Sequence, residues 1–170
     1  MSRIEVCALS RIDEVASSTG ARFMVTLIND SSMVQRPESI APERHLKLSM
    51  SDITAPLEGH VLPEESHVTQ FLAFVRAWDR AQPLLIHCYA GVSRSTAGAY
   101  IAACALQPEA CEQELAQSIR ALSPTATPNA RLVAVADDLL GRQGRMSAAI
   151  AAIGRGADCF EGVPFALALD

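Results

Sequence analysis

Short apolar runs broken by polar turns alternate along this chain with longer stretches whose apolar residues recur every three or four positions. Residues 4–9, 22–28 and 44–50 predict strands. Residues 83–87, Pro-Leu-Leu-Ile-His, form a short apolar run suited to a buried strand, and predict the last strand of the sheet, placed at its centre. Between the first two runs, Ser10 and Asp13 predict a capping box for a short helix that closes at Gly20, so the chain opens as a βαβ unit. Val68, Phe71, Leu72, Val75 and Trp78 fall on one face of a helix over about 64–80 and predict the stripe that packs on the sheet. Three more helices are predicted over 95–106, about 109–122 (Leu115, Ile119 and Leu122 on one face) and 129–140, bounded by Pro108, Pro124 and Pro128.

The intervening segments read as loops. Residues 29–43 are polar and carry Pro37 and Pro42, and 52–63 are punctuated by Pro56, Gly59 and Pro63. Beyond Gly141 the tail is broken by glycines around a short alanine-rich helix at about 145–153, and is expected to complete the core. The alternation predicts an α/β fold: one domain over 1–170, with a mostly parallel central sheet of four to five strands flanked by helices.

A chain of 170 residues can bury about 70% of the surface its unfolded form exposes, enough for one core. A net charge of −5 argues against nucleic acid or an acidic membrane surface as a partner, because both reward a basic face. The start Met1-Ser2-Arg3-Ile4-Glu5 lacks the pattern of an export signal, and no apolar run is long enough to span a bilayer, which leads to the expectation of a soluble cytoplasmic protein. Five cysteines, an odd number without paired metal-ligand spacing, suit a reducing compartment. Thirteen of the fourteen basic residues are arginine, a usage that fits a GC-rich bacterial genome.

The chemistry concentrates in His87-Cys88-Tyr89-Ala90-Gly91-Val92-Ser93-Arg94-Ser95, between the predicted central strand and the following helix. Unpaired N–H groups and the dipole of a helix N-terminus favour an anion there. The same terminus, with a nearby cation, lowers a cysteine pKa by several units, so Cys88 is expected to be a standing nucleophile. Arg94 offers parallel N–H donors that match two phosphate oxygens, which lysine does not reproduce. Gly91 permits the positive φ that turns successive N–H groups inward, Ser95 places a hydroxyl near the sulfur, and His87 is expected to influence Cys88 through hydrogen bonding. Cys104 and Cys111 read as core cysteines, though either could in principle resolve an oxidised Cys88.

The pattern His87, Cys88, Gly91, Ser93, Arg94, Ser95 resembles the H-C-x-x-G-x-S-R-S signature of the cysteine-dependent protein tyrosine phosphatases, in particular the small dual-specificity-like branch. Leu46-Lys47-Leu48-Ser49-Met50-Ser51-Asp52 resembles the strand and loop that carry that family's general acid, and Pro128-Asn129 the opening of a later helix; the likeness spans about 22–140 and leaves 141–170 as an extension. The resemblance implies a phosphatase-like fold and a two-step reaction. Cys88 takes the phosphoryl group while Asp52 protonates the leaving oxygen, and water then hydrolyses the phosphocysteine with Asp52 as base and Ser95 assisting the departing thiolate. Arg94 and the amides of Tyr89, Ala90, Gly91, Val92 and Ser93 would hold the phosphoryl oxygens, with no metal and no cofactor.

Asp30, Glu58, Glu64 and Glu65 are the other acid candidates, but Asp30 reads as a turn residue and the glutamates as residues of a helix start. Relatives that take polyphosphorylated substrates carry extra basic residues in this loop, so by that analogy the uncharged Tyr89, Ala90, Val92 and Ser93 imply a substrate with one phosphate, on a protein or a small molecule, with tyrosine-only and dual specificity both open. A sulfurtransferase or an arsenate reductase also uses a loop cysteine near basic residues, yet the Ser93-Arg94-Ser95 ending and the Asp52 segment fit the phosphatases better. A non-catalytic phosphopeptide-binding module is the other rival; such modules commonly lose the cysteine, the arginine or the acid, all retained here. Oligomeric state is not legible.

Overall fold

Five aliphatic segments pair into one sheet in the computed structural model, which describes residues 2–169. They are β1 (Arg3–Ala8), β2 (Phe23–Ile28), β3 (His45–Ser49), β4 (Leu84–Cys88) and β5 (Phe165–Ala168), in spatial order β3-β2-β4-β1-β5. The first four run parallel, so the carboxyl ends of β1 to β4 share one edge, where open α/β sheets place their ligands. Every residue of β4 is buried, as expected of a central strand covered on both faces.

The helices divide unequally between those faces. α1 (Ile12–Thr19), with Ile12, Val15 and Ala16, covers Cys7, Met24 and Leu85 together with Ile40 from a loop. The other face, carrying Val6, Val25, Ile86 and Cys88, is covered by α2 (Glu65–Ala77), α3 (Arg94–Leu106), α4 (Glu112–Leu122), α5 (Ala130–Leu140) and α6 (Arg145–Ile153). The result is a single α/β domain. Val68, Phe71, Leu72 and Val75 of α2 all face this core, and Trp78 follows them into it just past the helix end, its Nε1 donating to the Gln82 carbonyl across 2.9 Å.

Several expectations are corrected. The last strand is β5, not β4: Phe165–Ala168 adds antiparallel to the outer edge of β1. β4 also separates β1 from β2, so the opening βαβ unit spans a gap later filled by another strand. Ser10 does not cap α1; the helix is entered through a 3₁₀ turn with no side-chain cap, and the Ser10 hydroxyl donates instead to Glu161. The buried face of α4 is Glu112, Ala116 and Ile119, whereas Leu122 is exposed. Cys104 lies in the core as anticipated, but Cys111 is exposed at the start of α4.

The tail is integrated at three levels. Met146, Ala149 and Ile150 of α6 enter the main core, and the Asp137 carboxylate caps that helix by accepting from the Gly144, Met146 and Ser147 amides at 2.6, 2.7 and 3.2 Å. A buried ion pair, Arg142 to Glu112 at 2.8 Å, ties the loop before α6 to α4. Residues 154–164 then cross back as a strap: Gly156 N–H donates to Thr127 Oγ1 (3.1 Å), Ala157 N–H to the Pro124 carbonyl (3.0 Å) and Gly162 N–H to the Ala90 carbonyl (2.8 Å). A Cβ on Gly162 would stand 2.9 Å from the Gly91 carbonyl oxygen, so the strap can lie this close only because the residue is glycine.

Candidate active site

β4 ends at Cys88 and α3 begins at Arg94, so residues 89–93 form the tight strand-to-helix loop that the sequence predicts. Its carbonyls are engaged on the outside. The Tyr89 carbonyl accepts from Leu9 N–H (3.1 Å), Ala90 from Gly162, Val92 from Thr127 N–H (2.9 Å) and Ser93 from Asn129 N–H (3.1 Å). With the carbonyls turned outward, the Ala90, Gly91, Val92 and Ser93 amides meet no protein acceptor among the described residues. Consecutive unpaired N–H groups at a helix N-terminus form an anion cradle. Gly91 makes the turn at φ +71°, and a Cβ there would stand 2.8 Å from the Ala8 backbone nitrogen.

Cys88 and Ser95 are buried at the base of the cradle, with Sγ and Oγ in hydrogen-bonding contact at 3.1 Å. Arg94 is only 6% exposed. One terminal nitrogen donates to Asn29 Oδ1 (2.7 Å) and to the Met50 carbonyl (2.8 Å), while its Nε is buried with no protein partner. The guanidinium is thus fixed from the carboxyl ends of β2 and β3, with a donor left for an oxyanion. Asn29 is braced in turn by donating to Ser51 Oγ (3.1 Å), which also accepts from Val61 N–H (3.1 Å). The sequence reading missed Asn29 as a site residue; its place one position beyond β2, at the sheet edge where ligands bind, was the available signal.

Asp52 meets the loop. Its Oδ1 accepts from Ser93 Oγ (2.7 Å) and Asn129 Nδ2 (2.9 Å), while Oδ2 has no protein partner among the described residues. Asn129 also caps α5, its Oδ1 accepting from Leu132 N–H at 3.0 Å, so one side chain joins the acid loop, the cradle and a helix. The competing acids lie elsewhere: Asp30 accepts from Ser49, and Glu64 forms a capping box with His67 at the start of α2.

His87 is wholly buried and acts on the backbone rather than on the sulfur. Its Nδ1 lies 3.1 Å from the Cys88 carbonyl and its Nε2 lies 2.7 Å from Thr26 Oγ1, which also lies 2.7 Å from His45 Nε2. Burial pushes the His87 imidazole down to about 4, partly opposed by the bond to the Cys88 carbonyl. A neutral ring donating from Nδ1 to that carbonyl accepts the Thr26 hydroxyl proton at Nε2, and Thr26 accepts from His45.

The cysteines anticipated as partners for Cys88 are out of reach. Cys104 is nine residues along α3 from Ser95, roughly 13 Å of helix, whereas a disulfide requires Cα atoms within about 7 Å. Cys111 is exposed at the entry to α4, whereas Cys88 is buried at the end of β4. Cys7 is the thiol on the neighbouring strand, paired in register with His87, but it packs on the α1 face of the sheet while Cys88 packs on the other.

The protein-tyrosine phosphatase family model matches residues 43–125, which include Asp52 and the whole cradle. No curated protein matches the chain in sequence. Among solved structures, human DUSP28 is similar over 81% of this chain and 91% of its own, at 16% identity and TM-score 0.62. PTPMT1 in complex with PI(5)P is similar over 87% of this chain and 92% of its own, at 14% identity and TM-score 0.62. The human tyrosine phosphatase-like serine/threonine/tyrosine-interacting protein is similar over 81% and 91%, at 14% identity and TM-score 0.62. At these identities the likeness establishes the fold.

Proposed function

We propose that this chain is a member of the cysteine-dependent protein tyrosine phosphatase superfamily, on a fold it shares with dual-specificity phosphatases, and that it hydrolyses phosphomonoesters through a phosphocysteine. The observation that carries the reading is the arrangement around Cys88: four unpaired loop amides, the free Nε of Arg94 and the Ser95 hydroxyl within 3.1 Å of the sulfur. Together they place a sulfur nucleophile beneath a site built for an oxyanion.

In the first step the Cys88 sulfur attacks phosphorus, the bond to the leaving oxygen breaks, and Asp52 gives that oxygen its proton. In the second, water attacks phosphorus, Asp52 takes a proton from it, and the sulfur departs as a thiolate with Ser95 Oγ–H donating to it. Arg94 and the amides of residues 89–93 stabilise charge on the phosphoryl oxygens throughout. A positioned proton donor contributes about 10²–10⁴-fold to such a step. Ser93 and Asn129 hold Asp52 Oδ1 and leave Oδ2 for the proton.

Substrates with a single phosphate, on protein tyrosine or on serine and threonine as well, suit a loop whose only cation is Arg94. PI(5)P, bound by PTPMT1, is the lipid counterpart to test beside them. No helix among the described residues is long and apolar enough to cross a membrane.

The test is hydrolysis of aryl phosphates by the wild type, Cys88→Ser and Asp52→Asn, with and without vanadate. Cys88→Ser is expected to abolish turnover while retaining phosphate-ester binding, and full activity in that variant ends the proposal. Asp52→Asn is expected to lower kcat more for phenyl phosphate than for p-nitrophenyl phosphate, whose leaving group departs without a proton.

A further inference from the structure

On the side of the cradle opposite Asp52, the strap and the end of β1 enclose a cleft of about 240 Å³ lined by Leu9, Ser10, Tyr89, Ala90, Phe160 and Glu161. Its walls carry two aromatic rings with no core to enter: Phe160 is 90% exposed and Tyr89 57% exposed. Both rings line the one cleft beside the cradle rather than standing singly on the surface. The third feature is charge. Glu161 accepts the Ser10 hydroxyl, and among the described residues no basic side chain pairs with it. Arg11, next to Ser10 in sequence, is occupied by a bidentate contact with Glu14 at 2.6 and 2.7 Å.

Exposed aromatic rings with a half-buried carboxylate beside them attract a cation on a long apolar stem. From this we infer that the cleft is a specificity site for an arginine or lysine side chain flanking the phosphorylated residue of a protein substrate. The inference rests on the phosphatase reading for the position of the phosphate, which the cradle fixes next to Tyr89. The net charge of −5 favours the same class of partner and disfavours an anionic lipid surface. The strap is held to the phosphate loop by Gly162, so phosphate and flanking residue are read by parts that cannot drift apart.

Matched phosphotyrosyl peptides, carrying Arg, Ala or Glu in turn at each of the two positions on either side of the phosphoresidue, test this on the full chain. Binding is measured on Cys88→Ser, where no turnover is needed, and kcat/KM on the wild type. At one position Arg is expected to bind about tenfold tighter than Ala, with Glu weaker than both. Glu161→Gln, which keeps an acceptor for Ser10, and Phe160→Ala are each expected to shrink the Arg-to-Ala ratio to within about twofold. Thermal melting of each variant checks the fold. Equal binding of Arg and Ala peptides at every position overturns the inference, as does failure to bind any of them, while aryl phosphate hydrolysis independently decides whether the phosphatase reading stands. Phe160-dependent sedimentation with phosphatidylserine vesicles, without a peptide preference, would assign the cleft to a membrane instead and also overturn it.

Discussion

Arg94 is anchored by a neutral partner: the guanidinium donates to the side-chain oxygen of Asn29 across 2.7 Å, and to the Met50 carbonyl, with no carboxylate among the described residues pairing with it. Position is therefore fixed without spending the positive charge that an oxyanion would feel. Hydrogen bonds to charged groups are worth about 1.5–3 kcal/mol. Asn29→Ala is expected to lower kcat/KM for an aryl phosphate by about tenfold to a hundredfold. Asn29→Asp restores the contact but opposes the anion, and is expected to raise KM and the inhibition constant for vanadate; unchanged constants in both variants would remove Asn29 from the machinery.

Asn129 links the acid loop, the cradle and α5 through Asp52, Ser93 and Leu132. Asn129→Ala loses an N-cap worth about 1 kcal/mol. It is also expected to lower kcat by about tenfold for phenyl phosphate and less for p-nitrophenyl phosphate. An equal fall for both esters would make the residue structural only.

Gly91 stands at φ +71° with backbone atoms of Cys7 and Ala8 where a Cβ would go. Both the left-handed turn and the contact penalise any side chain, so Gly91→Ala is expected to cost about 2 kcal/mol or more and to abolish vanadate binding. Urea unfolding and vanadate titration measure the two effects separately.

Much of this site was legible because its residues are contiguous. Cys88, Arg94 and Ser95 share one loop, and their roles follow from residue type and from the strand-to-helix junction. Asp52 required the resemblance, since no local pattern tells an acid that reaches Ser93 from one that caps a helix. Asn29 escaped notice because its function is created by the parallel pairing of β2 with β4, a long-range fact. β5 escaped for a different reason: Phe165–Ala168 is four residues long, and two of them are alanine, a poor strand former. Ser10 and Asp13 have the spacing of a capping box, but the Ser10 hydroxyl turns to Glu161, far away in sequence. Leu122 fits the helical period of α4 yet is its last residue and stays exposed.

His87 makes stability depend on acid. Its folded value of about 4 lies below the ordinary 6.5, so the neutral ring is favoured in the native state. The contribution is full above pH 6.5 and is lost as pH falls from there toward 4, about 3 kcal/mol in all. Urea midpoints are expected to drop between pH 7 and pH 4.5, and His87→Asn is expected to flatten that dependence while lowering stability at pH 7. Equal slopes for both proteins would assign the acid sensitivity to other groups.

Burial pushes the Cys7 and Cys104 thiols up to about 12. Both should resist iodoacetamide in the native protein, while Cys88 is modified in a reaction that vanadate suppresses. Mass spectrometry of the labelled peptides before and after unfolding checks this. A disulfide from Cys88 to Cys104 under peroxide would contradict the helical distance between them.

The pairing of β5 with β1 sets an order on biosynthesis. A ribosome delivers β1 before the other strands of this sheet and β5 after them, so the outer edge of β1 stays open to foreign strands while the intervening residues 9–164 are made. The strap emerges only just before β5. A nascent chain stalled near residue 150 therefore carries Asp52, Cys88, Arg94 and Ser95 but not the strap whose Gly162 amide holds the Ala90 carbonyl.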